Sequence, residues 1–280
     1  MKDFVYRLAV RLFLPHLHES LKQEDAASVF KAGAPEYAVV EDRGSDKTIF
    51  SFAGAAMLYA GMPAFEFRKM LRDVAEDYNL VFYRDVYRML YHVGPQGQPD
   101  GLAFYQADIR RIADTLGSRH NVSIGASAGA GAAVYFGTQC GFNKILSFNQ
   151  PLPTGVWSDL SAQFGNYCNI KKLAQYPGEY AENALISLAA TWMQGQLRRA
   201  GIQDGWDPFA LYASAPQRPP MTVFYGARCN CDSRNAERLR SIPEAKLVPL
   251  PIGLHNCATH LKRQNTLAET IRAELEDVGR

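Results

Sequence analysis

The chain has 280 residues, of which 47% are hydrophobic and 11% aromatic, a composition typical of a globular protein with a large core. Its 30 Lys and Arg residues nearly balance 28 Asp and Glu residues, and a formal net charge of +2 argues against a nucleic-acid partner. There is no run of about twenty apolar residues that could span a bilayer, and the five cysteines show no disulfide spacing, so we expect a cytoplasmic protein without a transmembrane segment.

The first 35 residues begin with a candidate amphipathic helix. Arg7 and Arg11 interrupt the apolar stretch that a signal peptide would need, and Pro15 ends the helical pattern. We predict an N-terminal helix and lead-in over residues 1–35 that dock on the domain's own core. Contact with a membrane surface or a partner protein is the alternative.

Residues 36–150 alternate between strand-like and helix-like segments. Strands are predicted at 36–42, 47–54, 79–85, 121–127 and 144–150. Helices are predicted at 65–77, 102–117 and 128–137. This alternation is typical of an α/β fold with a mostly parallel central sheet and helices on both faces.

The alternation stops near residue 151 and returns near residue 219. The segment between them, 151–218, contains aromatic residues, Pro, Gly and one clear helical pattern at 183–201, and we interpret it as a cap or lid insertion. After it, strands are predicted at 221–227 and 245–251, and helices near 233–240 and at 258–277. The chain is therefore predicted to be one α/β domain with a core of residues 36–150 and 219–280.

A candidate nucleophile lies where the strand at 121–127 meets the next helix. Ser127 stands between Gly125 and Gly129 in a G-x-S-x-G pattern, with the strand before it and the helix after it. A serine on such a sharp turn has strained backbone geometry, and side chains at the two flanking positions would collide. The alternative is that these small residues serve only close helix packing, which accounts for Ala130 to Ala133 without requiring the serine.

A serine nucleophile needs a base to take its proton and an acid to orient that base. Asp232 lies just beyond one predicted strand and His255 just beyond the next, in the order and at the strand ends where this chemistry is built. Among the competing residues, His260 falls inside the last predicted helix, and Asn149 cannot supply a charge. The predicted catalytic residues are Ser127, Asp232 and His255.

From about residue 36 to its end, the chain resembles the α/β-hydrolase superfamily. The segments that carry the resemblance are FSFAG, VFYRDVYRMLYHVG, GASAGAGAAVYFG, LSFNQP, CDSRNAERL and GLHNCATHLKRQNTL. They are also similar to a bacterial group of hydrolases associated with surface-polysaccharide gene clusters, in which a histidine often stands where this chain has Asn235. The resemblance implies an α/β-hydrolase fold with a Ser-Asp-His triad.

An acyl-transfer site also needs hydrogen-bond donors for the developing oxyanion. The backbone N–H of Ala128, directly after the serine, is one candidate. The second donor is expected from Ala55 or its neighbour Gly54, after the second strand. The familiar His-Gly of this loop is Ala53-Gly54 here, and backbone donors do not require the histidine.

Arg84 and Tyr91 are candidate substrate-binding residues. Arg84 ends a predicted buried strand, where a guanidinium could hold a substrate carboxylate, phosphate or sugar hydroxyl. The alternative, which we favour, is that Arg84 and Asp85 pair with each other or with neighbouring loops and fix the oxyanion loop.

These residues predict a serine hydrolase that cleaves an ester or thioester of a small-molecule or glycan acyl substrate. An acyltransferase to a sugar hydroxyl would use the same triad, and a non-catalytic interaction protein would retain only the fold. Cys229, Cys231 and Cys257 flank the triad candidates without the spacing typical of structural zinc sites, so neither a metal nor a cofactor is predicted. The oligomeric state stays open.

Overall fold

The computed structural model describes residues 36–54, 65–150, 165, 174–202, 206–276 and 278. The predicted N-terminal helix and lead-in of residues 1–35 lie outside the described residues, and so do residues 151–164 and 166–173 of the predicted insertion. The limits of the core and of the insertion therefore remain a prediction.

In the described part of the chain, seven strands form one sheet. In chain order they are β1 Ala38–Glu41, β2 Lys47–Phe52, β3 Asn79–Tyr83, β4 His120–Ala126, β5 Lys144–Phe148, β6 Met221–Gly226 and β7 Ala245–Leu250. Their spatial order is β1-β3-β2-β4-β5-β6-β7, and neighbouring strands are parallel except for the antiparallel pair of β1 and β3. The predicted mostly parallel sheet is confirmed.

Helices connect the parallel strands and cover the sheet. In chain order they are α1 Arg68–Val74, α2 Gly101–Thr115, α3 Ala128–Gln139, α4 Pro177–Arg199, α5 Pro208–Ser214, α6 Asn230–Glu237, α7 Cys257–Arg263 and α8 Leu267–Glu276. The predicted alternation of strands and helices is therefore present on both sides of the segment predicted as an insertion. The helix predicted at 183–201 begins six residues earlier, at Pro177.

The prediction of a single last helix over 258–277 is wrong, because this segment forms two helices, α7 and α8. Asn265 adopts left-handed backbone geometry with φ 58°, which Asn tolerates better than most residues. The N–H of Thr266 donates to the carbonyl of Leu261 at 3.0 Å, and that of Asn265 donates to the carbonyl of Lys262 at 3.0 Å. This pair of bonds is the Schellman arrangement that ends a helix.

The side chains of the central strands alternate between two apolar layers, as expected of a pleated strand. On β2, Ile49 packs into the layer that contains α1, α7 and α8, whereas Phe50 packs into the layer that contains α2 and α3. Because both faces are covered, every residue of β3 is buried, which explains why its sequence is almost continuously apolar.

α4 and α5 belong to the segment predicted as an insertion. Phe209 and Tyr212 of α5 pack against Val134 and Met221, so this helix is joined to the core. The carboxylate of Asp207 caps α5 by accepting the N–H of Ala210 at 3.0 Å. None of the helices that the structure describes is long and apolar enough to cross a membrane.

Candidate active site

Ser127 occupies a strained turn between β4 and α3. Its backbone angles are φ 54° and ψ −121°, a region that residues with a side chain rarely adopt. A Cβ on Gly125 would overlap the carbonyl of Gly129, and a Cβ on Gly129 would overlap the carbonyl of Phe52 at the end of β2. Only glycine fits at both positions, which is the physical reason for the G-x-S-x-G pattern here.

Of the three residues predicted as a triad, His255 contacts both Ser127 and Asp232. The Oγ of Ser127 is 3.0 Å from Nε2 of His255, and Nδ1 of His255 is 2.6 Å from Oδ1 of Asp232. The residues follow β4, β6 and β7, whose carboxyl ends meet at one edge of the sheet because these strands are parallel. His260, the rival base, lies in α7, and it is His255 that contacts the serine.

The Asp232–His255 pair is almost completely buried, with 1% and 3% of the two residues exposed. Burial raises the pKa of Asp232 above its usual value, and the neighbouring imidazole opposes this rise. A carboxylate in such a dry site interacts strongly with the ring N–H that it faces, so Asp232 fixes the position of that imidazole. The geometry matches an acid that holds a base in one tautomer.

Two buried cysteines lie near the Asp232–His255 pair. Sγ of Cys229, a carboxylate oxygen of Asp232 and a ring nitrogen of His255 lie within 4.8 Å of one another, which is close enough for a metal ion. Burial raises the pKa of Cys229 and Cys257 well above the usual thiol value, so both are neutral thiols beside this pair. The 2.6 Å hydrogen bond between Nδ1 of His255 and Oδ1 of Asp232 is the geometry expected of an acid–base pair.

Asn149 stands beside the same histidine at the end of β5. Its backbone is left-handed, with φ 50°, and 1% of the residue is exposed. Oδ1 of Asn149 accepts the N–H of Cys257 at 3.2 Å, and Nδ2 is 3.4 Å from Nε2 of His255. Asn149 therefore faces the ring nitrogen that contacts Ser127, on the opposite side of the imidazole from Asp232.

The predicted oxyanion donors lie next to the serine where the structure describes them. Ala128 is the first residue of α3, so its N–H has no acceptor within the helix. Gly54 follows β2, and a Cβ on it would lie 3.0 Å from the carbonyl oxygen of Ala126. Ala55 lies outside the described residues, and its predicted role stays a prediction.

Arg84 and Tyr91, the predicted substrate-binding residues, are both buried, with 2% and 0% exposed. The guanidinium of Arg84 lies 4.4 Å from the centre of the Phe65 ring, and Nε donates to the backbone carbonyl of Glu36. Burial lowers the pKa of Arg84. These contacts join the end of β3 to neighbouring segments, as the structural interpretation of Arg84 expects.

Tyr91 connects the loop after β3 to the end of β2. Its hydroxyl donates to the carbonyl of Ala53 at 3.0 Å, one residue before Gly54, and its N–H donates to Oδ2 of Asp85 at 3.0 Å. Asp85 and Tyr91 thus hold the residue that precedes the predicted oxyanion loop. A role of Arg84 or Tyr91 in substrate binding remains a prediction.

Asn183 is part of the site but was not predicted from the sequence. This residue is on α4, 72 positions before His255, and its side chain accepts the backbone N–H of His255 at 3.2 Å. The start of α4 could have been found earlier in the sequence, because Pro177 and Glu179 are typical of a first helical turn. The contact with His255 has no signal in the local sequence.

No protein-family model matches the chain, and neither does any curated protein. Solved structures are similar in fold. An esterase from Exiguobacterium antarcticum has a TM-score of 0.51 at 13% identity, covering 86% of this chain and 96% of that one. Brefeldin A esterase, a bacterial homologue of human hormone-sensitive lipase, has a TM-score of 0.55 at 16% identity, covering 94% of this chain and 84% of that one.

A third similar structure is MGS-M2, an α/β-hydrolase enzyme from a Medee basin deep-sea metagenome library. It has a TM-score of 0.55 at 12% identity and covers 87% of this chain and 95% of that one. Together with the seven-stranded, mostly parallel sheet, these likenesses confirm the predicted α/β-hydrolase fold. The similarity to the group associated with surface-polysaccharide gene clusters stays a prediction.

Proposed function

We propose that the chain is a serine hydrolase that cleaves an ester or thioester through an acyl-enzyme. The observation that carries this proposal is the continuous contact from Oγ of Ser127 through His255 to the buried Asp232, at 3.0 and 2.6 Å. Two of the similar solved structures are named esterases, which supports esters as the class of bond.

In the proposed reaction, Nε2 of His255 takes the hydroxyl proton of Ser127 as Oγ attacks the acyl carbon. The resulting oxyanion is stabilised by the N–H of Ala128 and a second N–H from Gly54 or Ala55. Collapse of this intermediate breaks the bond to the leaving oxygen or sulfur, which receives the proton from Nε2. Water then attacks the acyl-serine with the same histidine as base, releasing the acid and restoring the hydroxyl.

A fluorophosphonate probe tests the nucleophile directly, because it phosphonylates an activated serine. The wild-type protein should be labelled, and Ser127→Ala should abolish labelling. Ser123→Ala is the matched control, since Ser123 lies on β4, four residues before Ser127, and its hydroxyl donates to the carbonyl of Ala133 at 2.8 Å. Labelling that persists in Ser127→Ala would overturn the assignment, and a folded wild type that is never labelled would favour a non-catalytic interaction protein.

Substrate assays separate hydrolysis from acyl transfer, which uses the same triad. A panel of acyl esters and acyl thioesters should release free acid at a rate independent of added sugar. Formation of an acylated sugar at the expense of free acid would instead identify an acyltransferase that excludes water from its acyl-enzyme. The same panel also identifies the acyl group and the leaving group that the site prefers.

We propose the cytoplasm as the location of this enzyme. Cys140, Cys229, Cys231 and Cys257 are all free thiols, and the last three are buried. Free thiols are typical of a reducing compartment. Cell fractionation with an antibody against the native chain measures this location.

A further inference from the structure

The first turns of α4 contact the loop that carries His255. Asn183 is buried, with 3% exposed, and uses both ends of its amide on this loop. Oδ1 accepts the N–H of His255 at 3.2 Å, and Nδ2 donates to the carbonyl of Gly253 at 2.5 Å. One side chain of the predicted insertion therefore fixes the backbone on both sides of Leu254.

A second contact lies one helical turn before Asn183. Glu179 forms an ion pair with Arg228 at 2.6 Å, and Arg228 also donates to the carbonyl of Pro251 in the loop after β7. A Cβ on Gly253 would overlap a carboxylate oxygen of Glu179, so the loop approaches α4 at a residue without a side chain. Positions 179 and 183 share one face of a helix, and this face is the one packed on the loop.

The core holds the other side of the same loop. Oδ1 of Asn149, at the end of β5, accepts the N–H of Cys257 at 3.2 Å. His255 is thus placed between two buried asparagines, Asn149 from the core sheet and Asn183 from the predicted insertion.

We propose that Asn183 is a positioning residue, through which α4 holds His255 at the distance from Ser127 that proton transfer requires. This inference rests on the proposed hydrolase function. Nε2 must stay within hydrogen-bond reach of Oγ while Nδ1 stays on Asp232, and displacement of a catalytic group by about 1 Å can cost 10²-fold in rate. The insertion is then part of the catalytic machinery and not a detachable lid.

The test compares two buried asparagines at opposite ends of the sheet. Asn183→Ala removes the contact with the His255 loop. Asn79→Ala is the matched control, because Asn79 is also fully buried and its Oδ1 accepts the N–H groups of Arg43 and Ser45 at 2.8 and 3.2 Å, far from the triad. Both variants should melt at a lower temperature than the wild type.

Two readouts separate positioning from simple destabilisation. At a temperature where both variants are folded, Asn183→Ala should slow fluorophosphonate labelling and lower kcat by about 10- to 10²-fold with little change in KM, whereas Asn79→Ala should keep the wild-type rate. In histidine-selective ¹⁵N NMR, Asn183→Ala should shift or broaden the ring resonances of His255, and Asn79→Ala should leave them unchanged.

Wild-type labelling rate and wild-type His255 resonances in Asn183→Ala would overturn the proposal. If the wild type itself is never labelled, the proposed function fails, and the NMR comparison alone decides whether Asn183 positions His255. If Asn183→Ala does not fold, Asn183→Leu takes its place, because it has a similar volume and also removes both bonds to the loop that carries His255. Slower labelling or shifted resonances in that variant support the proposal, and wild-type values for both overturn it.

Discussion

The carboxyl groups buried at the two ends of the central sheet have pKa values shifted in opposite directions. At the carboxyl end, burial raises the pKa of Asp232 above its usual value, and it raises the pKa of Asp85 to about 6. The loops at this end also contain residues with strained left-handed backbone, among them Ser127 and Asn149.

At the amino end, a buried carboxylate is surrounded by cations and donors. Glu274 of α8 accepts from Lys144 at 2.8 Å, from Lys246 at 2.7 Å and from the hydroxyl of Thr222 at 2.7 Å. Burial alone would raise the pKa of Glu274, but these three partners outweigh it, and the pKa is lowered. This network joins the starts of β5, β6 and β7 to the last helix.

The two ends therefore differ in role: one holds residues that stabilise the fold, and the other holds the residues of the proposed chemistry. A charge whose partners outweigh its desolvation adds to stability, whereas strained backbone and a carboxyl group with a raised pKa cost stability and persist where the surrounding structure enforces them. We therefore expect substitutions at the carboxyl end to change turnover more than stability. Substitutions at the amino end should do the reverse.

The largest expected effect is on turnover, at the carboxyl end. His255→Ala should lower kcat on an ester substrate by about 10⁴-fold or more, because the members of a triad act as a unit. His260→Ala is the control, and it should retain turnover because His260 lies on α7 away from the contact with Ser127. Loss of turnover in His260→Ala with activity retained in His255→Ala would show that the wrong histidine had been assigned.

The next largest effect is on stability, at the amino end. Glu274→Gln removes the carboxylate from Lys144, whose side chain is only 8% exposed, and breaking a buried pair costs about 3–5 kcal/mol. Urea unfolding should show this loss, while the folded variant keeps the wild-type labelling rate. Glu237→Gln serves as a control, because it breaks an exposed ion pair with Arg240 and should change unfolding little. Slow labelling in folded Glu274→Gln would contradict the separation of the two ends.

A smaller effect concerns how stability depends on pH. The folded protein binds the Asp85 proton more tightly than the unfolded chain does, because burial raises the pKa from 3.8 to about 6. Its contribution to stability is therefore complete below a pH of about 4 and is lost as the pH rises through about 6, a difference of about 3 kcal/mol. Glu274, with a lowered pKa, contributes in the opposite direction and loses its contribution on acidification.

Asp85→Asn should abolish the Asp85 part of this dependence, because the amide stays neutral and retains an oxygen acceptor for the N–H of Tyr91. Unfolding free energies measured from about pH 4 to 7 should therefore fall more steeply with pH in the wild type than in Asp85→Asn. Parallel curves for the two proteins would mean that Asp85 does not titrate in this range.

The strand ends and the contacts among Ser127, His255 and Asp232 were predictable because they depend on local patterns. Apolar runs locate the strands, and in a parallel sheet the residues after β4, β6 and β7 must meet at one edge. The sequence alone therefore predicts that Ser127, Asp232 and His255 lie together. The glycines on either side of Ser127 marked a turn that excludes side chains.

The contacts of Asn183 and Asn149 with His255 were not predictable, because they join residues that are distant in sequence. Asn183 lies 72 positions before His255 and Asn149 lies 106 positions before it, and no periodicity relates them. The break between α7 and α8 was missed for a different reason. The apolar pattern continues through it, and the helix ends because Asn265 adopts left-handed backbone geometry. In each case tertiary contacts or backbone geometry decide the outcome.

The smallest expected effect sharpens the role of Asn149, which stands at a strand end where an acid could have been placed. Its amide orientation is set by the N–H of Cys257, which requires an oxygen, so the NH₂ group faces Nε2 of His255 at 3.4 Å. The charged or polar groups near this ring include Asp232 at Nδ1, Ser127 at Nε2 and the thiol of Cys229. Asn149 thus contributes a donor at the nitrogen that must be unprotonated to act as a base.

Asn149→Asp places a carboxylate at that nitrogen with little change in shape. A carboxylate stabilises the protonated imidazole, so the acidic limb of kcat/KM against pH should move to higher pH by about one unit. Asn149→Ala is the control, because it removes the amide donor without adding charge and should leave that limb near its wild-type pH or move it upward by less than Asn149→Asp does. A profile for Asn149→Asp that overlays the wild type would show that Asn149 does not influence the base, and its role would then be limited to the bond with Cys257.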